Sequence, residues 1–110
     1  MDVRICRTDE LAEGEVRKAV VDGRHVAVAR DGGRVHGFSA ICPHMRHDLS
    51  EGFVAEAGIT CGSHLWHFRF TDGVCTLIPE ASIPVFPARE EDGWVVLELT
   101  PAEGAGGAAP

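Results

Sequence analysis

Cysteine and histidine occur together twice in this chain, as Cys42-Pro43-His44 and as Cys61-Gly62-Ser63-His64, with residues 45–60 between them. Each pair offers one thiolate and one imidazole. A fold that brings the two segments together therefore presents two sulfurs and two nitrogens at one point. Iron–sulfur clusters of mixed ligation take that set, and tetrahedral zinc accepts it on ligand type alone. Zinc fingers pair two Cys and then two His on a helix. Here Cys and His alternate, and no helical period follows either pair.

The rest of the chain narrows the setting. Its 110 residues suffice for one domain with a modest core. A formal net charge of −7 argues against nucleic acid or an anionic membrane surface as partner. No apolar run approaches the ~18 residues that a membrane span needs. Met1-Asp2-Val3-Arg4 lacks the pattern of a secretory leader, so a cytoplasmic location is expected. Thiols stay reduced there, and the four Cys point to metal before disulfides. Cys6, after Val3 and Ile5, and Cys75, beside Val74, read as small buried apolar residues.

Short apolar runs punctuated by Gly and Asp dominate the pattern. Strands are expected at Val3–Cys6, Glu15–Val21, His25–Arg30 and Arg34–Ala40, with one helical turn opening at Thr8-Asp9-Glu10-Leu11. Asp31-Gly32-Gly33 is a strong hairpin signal, and Asp22-Gly23 stops the strand before it. Further short strands are expected at Phe53–Val54, Ile59–Thr60, His67–Phe70 and Val74–Leu77, with Ala57-Gly58 and Thr71-Asp72-Gly73 as turns. Pro79, Pro84 and Pro87 mark an irregular or edge segment. Asp92-Gly93 leads into a last strand, Trp94–Leu99. Each Cys/His pair thus follows a strand. The whole predicts an all-β sandwich or small barrel, and residues 100–110 are expected to form a disordered tail.

Ala40-Ile41-Cys42-Pro43-His44, Asp48-Leu49-Ser50-Glu51-Gly52 and Ile59-Thr60-Cys61-Gly62-Ser63-His64 resemble the cluster-binding loops of Rieske ferredoxins. The resemblance implies a Rieske-type antiparallel β-sandwich, or small barrels, with a cluster-binding subdomain of two loops. It implies one domain over 1–99, whose cluster-binding part spans about 41–79. It also implies one [2Fe–2S] cluster, with Cys42 and Cys61 on the inner iron and His44 and His64 on the outer one. Two ferric ions, two sulfides and two thiolates sum to a neutral core, which one electron makes singly negative. Four thiolates would start it doubly negative, so neutral imidazoles raise the potential. High-potential relatives carry a disulfide between the loops and a Tyr hydroxyl on a cluster sulfur. The corresponding positions here are His47 and Ser63, and the chain has no Tyr. The lower part of the Rieske range, about −150 to +300 mV, is therefore expected.

His64-Leu65-Trp66 is similar to the ferredoxin components of toluene and alkene monooxygenases, whereas many dioxygenase ferredoxins have Gly and then Trp after the last ligand. That likeness implies a monomeric one-electron carrier with no catalytic residue of its own. Its implied partners are an NADH-dependent flavin and iron–sulfur reductase and a di-iron hydroxylase. The competing readings are a ferredoxin for a ring-hydroxylating dioxygenase, a structural zinc domain, and the small subunit of a larger oxidoreductase. His47 and His67 are read as non-ligands near the cluster face, and His25 and His36 as half-buried strand residues. Pro43 would shape the ligand turn. Met45, Arg46, Leu65 and Trp66 would form a docking rim or cover the cluster, and Trp66 could equally be a packed aromatic beneath the loops. Pro79 and Ile83-Pro84 resemble the family's third, proline-containing loop.

Overall fold

The computed structural model describes residues 2–41, 49–62, 66–78 and 80–99. In chain order the strands are β1 (Asp2–Arg7), β2 (Val16–Val21), β3 (Arg24–Asp31), β4 (Arg34–Ser39), β5 (Phe53–Ala55), β6 (Gly58–Thr60), β7 (His67–Arg69), β8 (Val85–Phe86), β9 (Ala88–Glu91) and β10 (Trp94–Glu98). Two 3-10 turns, Thr8–Glu10 and Leu49–Glu51, complete the elements. Among the described residues no helix is long and apolar enough to cross a membrane.

β3 explains the layering. Val26, Ala27, Val28 and Ala29 are all buried, although side chains alternate between the faces of a strand. A strand buried on both sides reads as a continuous apolar run, and β3 does. Val26 and Val28 pack with Cys6, Leu11, Phe86, Val95, Leu97 and Leu99 on one side. Ala27 and Ala29 face the other side, toward Phe38, Ile59, Phe68 and Phe70. The sheet β2-β3-β4-β8 is therefore a shared wall between the sheets β1-β10-β9 and β5-β6-β7, and every strand pair is antiparallel. Gly37 on β4 permits the first of these contacts, since a Cβ there would lie 2.0 Å from Leu97 Cδ1.

Four hairpins use two-residue loops with both residues at positive φ, the twist that matches antiparallel strands. Asp22-Gly23 and Asp92-Gly93 behave as the sequence suggests, and Gly32-Gly33 closes β3 onto β4. The fourth loop differs from expectation. It is Glu56-Ala57, with φ of 49° and 60°, and not Ala57-Gly58. Gly58 instead lies buried inside β6, where a Cβ would sit 2.3 Å from the Phe68 carbonyl oxygen. Its glycine serves a close approach, which imitates a turn signal in the sequence.

Two other expectations are corrected. Val74–Leu77 forms no strand, only the bridges Phe68↔Cys75 and Val74↔Ser82. The chain turns back on itself there, with Cys75 N–H donating to Ala81 O (3.0 Å) and Ala81 N–H to Ile78 O (2.9 Å). His25 is exposed rather than half-buried, because β3 overhangs its core at that end and pairs it with the exposed Val20. His36 is half-buried as expected, and Cys6 and Cys75 are buried.

Arg30 joins the layers at the end away from the Cys/His loops. Its guanidinium donates to Leu11 O (2.7 Å), Thr8 O (3.2 Å) and Gly33 O (3.2 Å) and pairs with Glu90 (2.7 Å).

Candidate metal centre

Cys42, His44 and His64 lie outside the described residues, as do Pro43, Met45, Arg46, His47, Ser63, Leu65 and Pro79. Cys61 is described, and so are the bases of both loops. The first loop leaves from the end of β4 at Ala40, a fully buried residue whose N–H donates to His25 O (3.0 Å). It returns at Leu49, whose N–H donates to Ala40 O at 2.6 Å. The second loop closes the β6–β7 hairpin, where Cys61 N–H donates to Trp66 O at 2.7 Å, one step beyond the pair Thr60↔His67.

The two bases touch. A Cβ on Gly52 would lie 1.9 Å from Thr60 O and 3.3 Å from Gly62 N. One on Gly62 would come within 3.4 Å of Glu51 O. Gly52, just after the first loop returns, thus packs backbone against backbone on the segment eight to ten positions further on that carries Cys61. Cys61 is 1 % exposed in a cluster with Ala40, Leu49, Phe68 and Cys75, and Trp66 packs against that cluster. Trp66 and Phe68 lie with ring centroids 6.5 Å apart at 51°, so the packed-aromatic reading of Trp66 describes its observed place.

A third segment adjoins them. Thr76 N–H donates to His67 O (2.8 Å), and Ile78 N–H donates to Cys75 Sγ (3.4 Å). Leu77 and Ile78 are exposed at its tip. His67 occupies both ring nitrogens within the protein, Nε2 against Ala55 O at 2.8 Å and Nδ1 against Thr76 Oγ1 at 3.2 Å. That supports its reading as a non-ligand. Sequence reasoning did not find these partners. The only signal was Gly58, whose missing side chain makes room for the ring.

His36 stacks on Phe70 with centroids 4.4 Å apart at 6°, and burial pushes its imidazole below the usual value, with Asp31 opposing that shift. It lines a recess of about 660 Å³, together with Arg34, Phe70, Arg89 and Glu90. The recess opens at the Gly33 end of β4, whereas the ligand loops leave from the Ala40 end, so it is no part of this centre. Among the described residues no three His, Cys, Asp or Glu gather into another metal site.

Comparison with known proteins agrees with this arrangement. Residues 1–87 match the Rieske [2Fe-2S] domain family. The ferredoxin component of the alkene monooxygenase system of Xanthobacter autotrophicus (strain ATCC BAA-1158 / Py2) is 32% identical over 105 residues, covering 93% of this chain and 86% of that protein. Among solved structures, the ferredoxin of carbazole 1,9a-dioxygenase from Nocardioides aromaticivorans IC177 superposes with a TM-score of 0.83 at 25% identity, covering 91% of this chain and 99% of the other. A protein described as the small subunit of an NADH-dependent nitrite reductase from Mycobacterium tuberculosis gives a TM-score of 0.84 at 26% identity over 91% and 96% of the two chains. A buried thiol at the mouth of a closed hairpin, next to the base of the loop whose sequence holds a second thiol and an imidazole, suits a mixed-ligand cluster. The chain belongs to the Rieske [2Fe-2S] domain family, and its cofactor is a Rieske-type [2Fe–2S] cluster.

Proposed function

We propose that this chain is a one-electron carrier, a Rieske ferredoxin that serves an oxygenase system. Cys42 and Cys61 would bind the inner iron and His44 and His64 the outer one, within a cluster-binding part spanning about 41–79. The observation that carries this reading is the contact between the two loop bases at Gly52, Thr60 and Gly62, with Cys61 buried beside it. When bound, the cluster supplies a couple of a single electron without proton or atom transfer. The chain's own residues hold and shield it. Cys61 sits in an apolar cluster that excludes water, and the two backbone bonds at Ala40–Leu49 and Cys61–Trp66 fix the loop mouths.

The partners proposed are an NADH-dependent reductase and the di-iron hydroxylase of a hydrocarbon monooxygenase. Two observations favour them over a ring-hydroxylating dioxygenase: Leu65-Trp66 after the last ligand, and the 32% identity to an alkene monooxygenase ferredoxin component along nearly all of both chains. The dioxygenase reading is kept as second, since the dioxygenase ferredoxin from Nocardioides shares the fold throughout. Net charge suits either role, because electrostatic steering speeds encounter without tight binding.

Low-temperature EPR of the dithionite-reduced protein tests the cluster. A rhombic signal with average g clearly below that of all-Cys clusters is expected, and zinc without iron would refute the reading. Electron delivery to a purified di-iron hydroxylase, compared with delivery to a dioxygenase terminal component, tests the partner. Faster turnover with the dioxygenase would reverse the order of the two.

A further inference from the structure

We propose that His67 is a positioning residue for the cluster: a non-ligand imidazole that locks the second ligand loop to the third segment, Cys75–Ile78. The proposal rests on the cluster reading above and concerns a residue outside the ligand set.

The ring is held at both nitrogens. The Ala55 carbonyl can only accept, so Nε2 carries the hydrogen and donates to it at 2.8 Å. Nδ1 faces the Thr76 hydroxyl at 3.2 Å and accepts from it when the ring is neutral, and the same hydroxyl lies 3.5 Å from His67 O. Thr76 is held a second time through the backbone, by its N–H on His67 O at 2.8 Å. The ring lies over Gly58, where a Cβ would meet Nε2 at 2.5 Å and Cε1 at 2.8 Å. One imidazole thus spans from the end of β5, across β6, to the segment beyond β7.

Both ends of this clamp reach the site. His67 directly follows Trp66, whose carbonyl closes the ligand loop on Cys61. Thr76 directly follows Cys75, which is fully buried in the same apolar cluster as Cys61. If the imidazole were lost, Thr76 would keep its contacts to the His67 carbonyl but lose its side-chain tie to the ring. Partners that hold a ligand-bearing segment in place affect a metal centre about as strongly as some ligands do.

Asparagine and glutamine separate the two arms, because an Asn side chain reaches the Nδ1 position and a Gln side chain the Nε2 position. The holoprotein with His67→Gln, His67→Asn, Thr76→Val, or both His67→Gln and Thr76→Val would be compared with the parent by cluster loss under chelator, midpoint potential and EPR. We expect His67→Gln and Thr76→Val each to speed cluster loss roughly tenfold and to shift the potential and g values. The double variant should be no worse than either single one, because both remove the same bond. His67→Asn, which keeps the Thr76 arm, should stay near the parent. Thr76→Val removes no packed ring, so it reads the bond even if a His67 variant folds poorly. Additive effects, or lowered thermal stability with unchanged potential and g values, would overturn the positioning role. A parent protein without the mixed-ligand signal would overturn the cluster reading itself, whereas a normal parent signal with indifferent variants overturns only the role of His67.

Discussion

The layers on either side of the central sheet are built differently, and glycine shows how. On the side of β1, β10 and β9 the strands are four to six residues long, and the central sheet contributes strands of up to eight. Of the glycines in that half, Gly23, Gly32 and Gly33 are turn residues with open space around the missing Cβ, Gly93 meets only the Arg7 guanidinium at 3.6 Å, and Gly37 is a close contact with a Leu97 methyl group. In the ligand half β5, β6 and β7 have three residues each. Its glycines are points of contact: a Cβ at Gly52, Gly58 or Gly73 would fall 1.9, 2.3 or 2.0 Å from a carbonyl oxygen. The first half is held by ladder length and apolar area. The second is held by backbone packed on backbone, and short strands of that kind are marginal alone. The cluster is therefore expected to contribute much of the order in the ligand half, as bound metals do in small sites.

The sharpest way to break this contrast is to remove the cluster. Cys61→Ser should abolish cluster assembly, read as iron content and EPR. Amide exchange should then rise sharply in β5, β6 and β7 while β3 and β10 stay protected. Normal colour in that variant would count against the ligation, and uniform loss of protection would erase the contrast. Next come truncations on opposite sides of the central sheet. Phe68→Ala and Leu97→Ala should each cost about 2–5 kcal/mol in denaturant unfolding. Only Phe68→Ala should also speed cluster loss, since Phe68 shares the cluster of Cys61 and Leu97 does not.

A smaller effect separates the two kinds of glycine. Gly23→Ala places a Cβ at φ +79° and should cost about 1–2 kcal/mol without touching cluster yield. Gly52→Ala should cost about 1–3 kcal/mol by overpacking and should lower the yield, because the Thr60 carbonyl cannot retreat without moving Cys61. The smallest effect is that of pH on His36. Burial holds its imidazole below 6.5, so the folded protein takes the proton less readily than the unfolded chain. Stability is then complete above about pH 6.5, declines as pH falls toward the lowered value, and levels off below it. Thermal melts of His36→Leu should lack that decline relative to the parent.

Much of this was legible from residues alone. Asp22-Gly23, Gly32-Gly33 and Asp92-Gly93 announce hairpins because positive φ at both loop positions favours those residue types. The alternation of short strands identifies the fold class, and the two Cys/His pairs carry the likeness to the Rieske family. The layering is not readable from local signals. Val26-Ala27-Val28-Ala29 shows burial on both faces but not what lies on each. The loop at Glu56-Ala57 has no turn residue, and tertiary contact imposes it when Gly58 is drawn under the His67 ring. The exposure of His25 depends on where a strand overhangs its neighbours. The clamp at His67 was hidden for a different reason, since a backbone carbonyl such as that of Ala55 carries no residue signature.

Three open sheets leave six edges, and the described edges are short or charged. β5, β7 and β8 have three, three and two residues, while β1 carries Asp2, Arg4 and Arg7, β2 carries Arg17 and Lys18, and β9 carries Arg89, Glu90 and Glu91. A strand from a second copy could extend β9 only by covering Arg89, already paired with Asp2 and Glu91, and by bringing like carboxylates together. Unpaired sheet edges invite aggregation, and charge or brevity discourages it. The fold can therefore be concentrated and can collide with many surfaces without polymerising along its own strands.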